Sequence, residues 1–255
     1  MSIKMEKRRL AIVRYVESHG SCRLETLAQQ LNVSVQTIRS DIRFLNESGR
    51  VFRTHGGIGA YQRENIGYSS RERQHLVQKE AIGKEAAKLL NGVNSCALGT
   101  GSTVEMLAKA LQREDPLHVC TNNFHTLIHL CDKPPIVLTV AGGRVRKRDQ
   151  DVIGGDALLF FKRYRTEIGI VSVGAMSKAG ELYDYNDDEV MARQALVGSV
   201  KKTVLLVDSS KIGKIAMCQN GSIVDFDYII SDSPPPQECI NLLETSETEW
   251  VTANA

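Results

Sequence analysis

The chain has 255 residues, enough for one large domain or for a small domain followed by a medium one. With 42% hydrophobic and 24% charged residues, it has the composition of an ordinary globular protein, which excludes a globally disordered chain. No uninterrupted apolar stretch approaches the roughly 18 residues of a membrane-spanning helix, and the polar N-terminus has no signal-peptide hydrophobic region. We therefore expect a cytoplasmic protein that does not associate with a membrane.

The six cysteines are scattered along the chain, with no Cys-x-x-Cys pair and no Cys/His cluster at zinc spacing. They are Cys22, Cys96, Cys120, Cys131, Cys218 and Cys239. We expect reduced, mostly buried thiols rather than a disulfide framework. No bound metal and no cofactor are expected.

The net charge of +2 is unevenly distributed. Residues 1–63 carry 11 basic and 5 acidic side chains, whereas the remainder carries 21 basic and 25 acidic ones. A basic N-terminal segment followed by an acidic remainder is typical of a protein whose N-terminal segment binds a polyanion such as DNA. A solvated basic face is the simpler alternative.

The first segment predicts three helices and a small β-wing. Apolar residues recur at helical spacing from about Lys4 to His19, again from Leu24 to Leu31, and again from about Val35 to Glu47. The stretch Val51–Gly57 has the pattern of a short β-hairpin. We therefore expect a winged helix-turn-helix domain over residues 1–57, the geometry that lays one helix in the major groove.

The third helix exposes polar side chains opposite its apolar stripe, and Ser34 is placed to cap its first turn. Arginine can donate twice to guanine, glutamine can pair with adenine, and hydroxyls reach bases or phosphates. The expected DNA-binding residues are Ser34, Gln36, Thr37, Arg39, Ser40, Arg43, Arg53 and His55. The alternative is a three-helix protein-interaction module with a solvated polar face.

Residues 58–76 predict a polar linker, part of which could be helical, and residues 77–255 predict a larger α/β domain. Apolar strands alternate with amphipathic helices, which is typical of a mostly parallel sheet. The predicted strands are Ser95–Leu98, His118–Thr121, Ile136–Ala141, Ile168–Val173, Thr203–Val207 and Tyr228–Ser231. The predicted helices are Val77–Leu90, Thr103–Leu111, Phe124–Cys131, Gly155–Phe161 and Glu189–Ser199.

A glycine- and hydroxyl-rich loop follows the first of these strands and opens a helix. In such a loop the N–H groups converge and the helix dipole favours an anion, which indicates a phosphate site. It is not a P-loop, because no Gly-Lys-Ser/Thr follows. A plain glycine turn is the alternative.

Other polar or small residues lie where strands are predicted to end, and ligands of open α/β sheets bind at those carboxyl ends. Lys211 and Arg144 could pair with a phosphate, and Asn122 with hydroxyls. The expected effector-binding residues are Gly99, Thr100, Gly101, Ser102, Thr103, Asn122, Arg144, Gly174 and Lys211. Taken singly, each could equally serve as a turn or a cap.

The stretch Leu27–Ile42, with Ser40 where a second arginine is usual, resembles the signature of the DeoR family, as does Arg53–Gly57. Tyr183–Tyr185 and Gly221–Ile223 most resemble that family's glycerol-3-phosphate repressor branch. The resemblance implies a transcriptional repressor with a winged helix-turn-helix domain. It also implies a sensor domain similar to ribose-phosphate isomerases.

On this basis we expect a repressor of a carbohydrate or polyol operon that binds double-stranded operator DNA. A phosphorylated sugar or polyol would release it. Paired half-sites favour a homodimer or homotetramer. A sugar-phosphate isomerase with a DNA-binding appendage is the alternative, but a shared fold does not carry activity with it, so we expect no enzyme.

Overall fold

The computed structural model describes residues 3–19, 22–47, 50–54, 57–62 and 68–254. Within these ranges, no helix is long and apolar enough to cross a membrane. The same residues contain no group of His, Cys, Asp or Glu side chains that could hold a metal ion.

The N-terminal part is a winged helix-turn-helix, as predicted. Its elements in chain order are α1 (Ile3–His19), β1 (Cys22–Arg23), α2 (Leu24–Gln30), α3 (Val35–Glu47), β2 (Val51–Thr54) and β3 (Gly57–Gln62). Strands β2 and β3 form the antiparallel wing, with Val51 opposite Ala60, and β1 pairs with the other edge of β3. Ile12, Leu27 and Ile38 belong to one buried apolar cluster, which fixes α3 against the other two helices.

The region expected to be a polar linker is structured at both ends. The wing does not stop at Gly57 but continues as β3 to Gln62, and a further helix, α4 (Tyr68–Arg73), follows. Tyr68 is buried, so α4 packs as part of the following domain. Tyr68 is the only buried residue of α4, which is too little to give a helical periodicity. The sequence alone therefore allowed for a helical part of the linker but did not give its bounds.

The rest of the chain forms the expected α/β domain. Its helices are α5 (Leu76–Lys88), α6 (Ser102–Ala110), α7 (Phe124–Leu130), α8 (Gly154–Arg163), α9 (Asp187–Val197) and α10 (Ile240–Glu244). Its strands are β4 (Ser95–Leu98), β5 (Leu117–Thr121), β6 (Ile136–Val140), β7 (Val145–Arg146), β8 (Asp151–Val152), β9 (Thr166–Ser172), β10 (Ala175–Met176), β11 (Glu181–Asp184), β12 (Val200–Leu206), β13 (Ile215–Ala216), β14 (Cys218–Ser222), β15 (Tyr228–Ser231) and β16 (Glu249–Thr252).

Seven of these strands form one parallel sheet in the order β16-β15-β12-β9-β4-β5-β6. Alternate residues of each strand face opposite layers: Ile170 packs with α5 and α6, whereas Val171 packs with α8 and α9. The sheet is therefore covered on both faces, as parallel sheets usually are. All six predicted strands belong to it, and β16 is a seventh that was not predicted.

The strand order places one switch point in the sheet. From β4 the chain proceeds outward through β5 to β6, and from β9 it proceeds outward the other way through β12 and β15 to β16. The loops after β4 and β9 therefore diverge, which opens a crevice at their carboxyl ends.

Candidate functional site

Helix α3 presents a polar surface whose geometry matches the predicted reading face. Ser34 caps the helix: its Oγ accepts from the Thr37 amide at 3.1 Å and lies 2.9 Å from Thr37 Oγ1. The hydroxyls that were expected to contact DNA thus also fix the start of the helix.

The predicted base-reading side chains of α3 are exposed. They are Gln36, Arg39, Ser40 and Arg43. Ile38, Ile42 and Leu45 are buried on the opposite side. Arg53 lies on β2, in a part of the wing whose side chains are outside the described residues, and His55 is outside them altogether. The arrangement supports major-groove contact, which stays a prediction for each residue.

A buried carboxylate that the sequence analysis missed holds α3 in place. Asp41 is 1% exposed, and its two oxygens accept from Arg8 Nε at 2.5 Å and from Arg9 Nε at 2.8 Å. The Arg9 guanidinium also lies 3.8 Å from the centre of the Phe44 ring. These contacts connect α1 to the helix that carries the reading face.

A cavity that opens to solvent lies at the switch point of the sheet, with about 350 Å³ of empty space when its open part is included. Thr100 and Gly101 enter it from the loop after β4, Ser172 and Gly174 from the end of β9, and Lys211 from the loop after β12. Other lining residues are Tyr68, Arg71, Arg146, Asp149, Asp151, Val173, Asp184, Glu189 and Arg193.

The cavity is rich in charges that pair with one another. Arg146 donates to both carboxylate oxygens of Asp151, at 2.9 and 2.6 Å, and to Glu189 at 2.5 Å. Arg193 pairs with Asp184, and its Nη2 lies 3.1 Å from Asp184 Oδ1. Because these guanidiniums already have carboxylate partners, an anionic ligand has to compete for them.

Lys211 has the weakest carboxylate contact among the cations of the described cavity. Its Nζ lies 3.6 Å from Asp208 Oδ2 and donates to Ser172 Oγ at 2.8 Å. Burial lowers the pKa of Lys211, and the nearby Arg71 and Arg193 guanidiniums lower it further against the opposing effect of Asp208. A bound anion would relieve this repulsion, so the position favours a negatively charged ligand.

The loop after β4 places a helix start beside this ammonium. Gly101 precedes α6 with a φ of +119°, a conformation that favours glycine, and no described side chain caps the helix. Ser102 and Thr103 are buried behind the loop, and Thr103 Oγ1 has no hydrogen-bond partner among the described residues. Uncapped N–H groups and the helix dipole favour an anion here.

A second cavity of about 220 Å³ adjoins the first, with Thr100, Glu189 and Arg193 lining both. Gly99 and Asn122 line it. The Asn122 Nδ2 donates to the Val152 carbonyl at 2.7 Å, whereas its Oδ1 has no partner in the described part of the chain. The second cavity therefore offers a polar acceptor deeper in the domain.

Two family profiles match the chain. The "DeoR-like helix-turn-helix domain" matches residues 8–64, and the "DeoR C terminal sensor domain" matches residues 74–233. The chain belongs to the DeoR family. This confirms the resemblance carried by Leu27–Ile42 and Arg53–Gly57.

Curated relatives resemble this DeoR-family chain over nearly its whole length. The glycerol-3-phosphate regulon repressor of Haemophilus influenzae is 32% identical over 253 residues, covering 99% of this chain and 98% of the relative. The repressor of the same name from Escherichia coli is 30% identical, covering 94% and 96%. Ribose 5 phosphate isomerase A from Neisseria gonorrhoeae aligns over 53% of each chain with 14% identity and a TM-score of 0.37, a likeness too low to bear on activity.

Six of the nine predicted effector residues of this DeoR-family chain line the described cavities, whereas Ser102, Thr103 and Arg144 line neither of them. Gly99, Thr100, Gly101 and Asn122 line one or both cavities, as do Gly174 and Lys211. Arg144 is exposed and lines neither of them in the described structure. Arg144 follows β6, the edge strand, and the chain after β6 enters the cavity only two residues later, with Arg146 on β7.

Proposed function

We propose that this DeoR-family protein is a repressor of a carbohydrate or polyol operon that a phosphorylated effector releases from its operator. One observation carries the proposal. In a chain with an exposed helix-turn-helix reading face, the partly buried Lys211 ammonium and the uncapped start of α6 meet at the switch point of the sensor sheet. The relatives named as glycerol-3-phosphate regulon repressors make a phosphorylated polyol the first candidate effector.

The two ends of such an effector have different partners in the cavity. The phosphate would accept from the Thr100–Thr103 loop and from Lys211, since charge-assisted bonds are stronger than neutral ones. The hydroxyls would face the Glu189 carboxylate and the Asn122 amide, which line the second cavity. Both halves are needed for a ligand that is anionic at one end and hydroxylated at the other.

Calorimetry and operator release together test the proposal. We expect glycerol 3-phosphate to bind the full-length protein and to release a fluorescent operator duplex. Glycerol should do neither, because it lacks the anion that Lys211 and the helix start recognise. Equal binding of glycerol and glycerol 3-phosphate would contradict the phosphate site, and a panel of sugar phosphates would extend the comparison.

We also propose which part of the chain binds DNA and which part senses the effector. Residues 1–62 form the DNA-binding part, because the wing ends at Gln62, and residues 68–255 form the sensor. The protein would work as a homodimer or homotetramer in the cytoplasm, since an operator with paired half-sites needs at least two reading helices. Sedimentation with and without operator DNA would measure that state.

Catalysis is not part of the proposal. An isomerase needs a positioned base. The four carboxylates that line the first cavity in the described structure each pair with an arginine: Asp149, Asp151, Asp184 and Glu189. Turnover of pentose phosphates by the purified protein would revive the enzyme alternative.

Replacing Arg39 with alanine tests the DNA-reading face. Arg39 is exposed on α3 and contributes nothing to its core, so the variant should fold normally. If Arg39 reads a base, operator affinity should fall by about 1–3 kcal/mol, roughly 5- to 150-fold. Fluorescence anisotropy on operator and scrambled duplexes measures this, with Arg165→Ala on the sensor as a matched loss of charge. Unchanged affinity for both duplexes would remove Arg39 from the interface.

A further inference from the structure

The connection between the DNA-binding part and the sensor is held on one side by β13, which follows the cavity residue Lys211, and on the other by α4, which lines the cavity. On the N-terminal side, the last residues of β3 pair in parallel with β13, with Tyr61 opposite Ile215 and Gln62 opposite Ala216. On the C-terminal side, α4 packs on the sensor through the buried Tyr68. The wing is therefore not joined to the sensor by covalent connection alone.

Strand β13 follows closely after the predicted phosphate ligand. Three residues separate Lys211 from Ile215, and the Gly213 and Lys214 amides both donate to the Met176 carbonyl, at 2.8 and 3.1 Å. A short, hydrogen-bonded segment thus connects Lys211 to the strand that pairs with the wing.

Helix α4 is anchored to α6, the helix that follows the loop after β4. The Tyr68 hydroxyl donates to Glu105 on α6, and the Tyr68 ring stacks on His125 with 3.8 Å between ring centres. At the other end of α4, the buried Lys79 ammonium donates to the Arg71 carbonyl and, at 2.8 Å, to the Gln74 carbonyl. The backbone around Arg71 is thereby fixed against the sensor.

The Arg71 side chain brings a charge from this connecting helix into the cavity. It lines the cavity and forms an ion pair with Asp149, whose other oxygen lies 3.3 Å from Arg146 Nε. Asp149 would therefore keep a cationic partner if Arg71 turned away from it. Arg71 can therefore exchange its partner without leaving the buried Asp149 carboxylate alone.

We propose that Arg71 is a second phosphate-binding residue of the cavity and that its exchange from Asp149 to the effector transmits occupancy to the DNA-binding part. The inference rests on the proposed function for the existence of an anionic effector, but the Arg71–Asp149 switch is an independent claim. The Arg71–Asp149 pair holds α4 in the operator-binding state. A phosphate held by Lys211 and Arg71 joins the two anchors of the connection, β13 and α4, through one ligand.

This arrangement meets the thermodynamic requirement for control. An effector shifts an equilibrium only as far as its affinities for the two states differ. The Arg71–phosphate contact exists in one state and the Arg71–Asp149 contact in the other, so the same side chain supplies the difference.

Two substitutions with opposite effects on phosphate affinity test the proposal in the full-length protein. In Arg71→Gln, affinity for glycerol 3-phosphate should fall about tenfold or more. Its operator affinity should be lower without ligand, because the Arg71–Asp149 pair is lost, and should no longer respond to glycerol 3-phosphate. In Asp149→Asn, glycerol 3-phosphate should bind more tightly, and operator affinity should be lower even without it. Arg73→Gln removes a charge from an exposed position of the same helix and should match the wild type. Calorimetry measures the affinity for glycerol 3-phosphate, and fluorescence anisotropy of a labelled operator duplex measures the operator affinity.

Each outcome bears on a separate claim. If Arg71→Gln binds glycerol 3-phosphate as tightly as the wild type, Arg71 is not a ligand and the proposal is overturned. If it binds more weakly yet saturating ligand still releases the operator fully, the transmission through α4 is wrong. If the wild type binds no phosphorylated compound, the proposed function fails. The ligand-free operator affinity of Asp149→Asn still tests the switch, and an unchanged value overturns it.

Discussion

Replacing Asp41 with alanine is expected to abolish operator binding while the sensor domain stays folded. The substitution removes the acceptor of both Arg8 and Arg9 and leaves the Arg9 guanidinium, 8% exposed, without that carboxylate. Breaking a buried ion pair from one side typically costs about 3–5 kcal/mol. A domain of about 60 residues has a total stability of roughly 3–9 kcal/mol, so the loss takes most of it.

Trp250, the single tryptophan of the chain, lies on β16 and allows the two domains to be followed separately. In Asp41→Ala, its fluorescence should report an unchanged denaturation midpoint for the sensor. The helix content of the DNA-binding part should be lost at a lower temperature than in the wild type, and operator binding should be lost with it. Glu25→Ala, which removes an exposed carboxylate from α2, is the matched control and should behave as the wild type. Operator binding by Asp41→Ala at wild-type affinity would show that the two arginine contacts are not needed to hold α3.

The DNA-reading helix was predictable because its signals are local. Ser34 caps the first turn, the apolar residues recur at helical spacing, and the third helix begins and ends at the predicted residues, Val35 and Glu47. The carboxylate that holds the helix was not predictable in the same way. Asp41 meets Arg8 and Arg9 across more than 30 residues of chain, and no local pattern reports that contact.

The lining of the candidate cavity was predictable in part for a related reason. The rule that ligands lie at the carboxyl ends of strands correctly brought Gly174 and Lys211 to the cavity, since their strands are central in the sheet. It failed for Arg144, which follows the edge strand β6, because the sequence does not show that Arg146, two residues later, is the arginine of this segment that lines the cavity.

The arginines that do line the cavity come from unexpected places. Arg71 lies in the stretch expected to be a linker, Arg146 follows the edge strand by way of the short hairpin of β7 and β8, and Arg193 lies inside α9. Only the ion pairs in the folded chain distinguish these arginines from solvated ones. A basic residue in a polar stretch or on a helix is otherwise most often solvated.

Replacing Lys211 with glutamine is expected to leave a repressor that binds its operator but responds poorly to a phosphorylated effector. Glutamine keeps a donor near Ser172 and loses the charge. A charge-assisted hydrogen bond is worth about 1.5–3 kcal/mol, so affinity for glycerol 3-phosphate should fall roughly 10- to 150-fold. Lys178→Gln changes the same charge at an exposed position of the sensor and should have no effect. Wild-type affinity in Lys211→Gln would remove Lys211 from the phosphate site.

The pH dependence of binding separates the charge of Lys211 from a structural role. Its pKa lies below that of an ordinary lysine in the free protein, and a bound phosphate would raise it, so the effector binds the protonated form. Affinity for glycerol 3-phosphate should therefore fall as the pH rises through the pKa of the free protein. Burial also lowers the pKa of Lys79 to about 8, so a second ammonium titrates nearby. Lys211→Arg keeps the charge at all these pH values. It should bind glycerol 3-phosphate with a flatter pH profile if Lys211 is the titrating ligand, and with the wild-type profile if Lys79 is responsible.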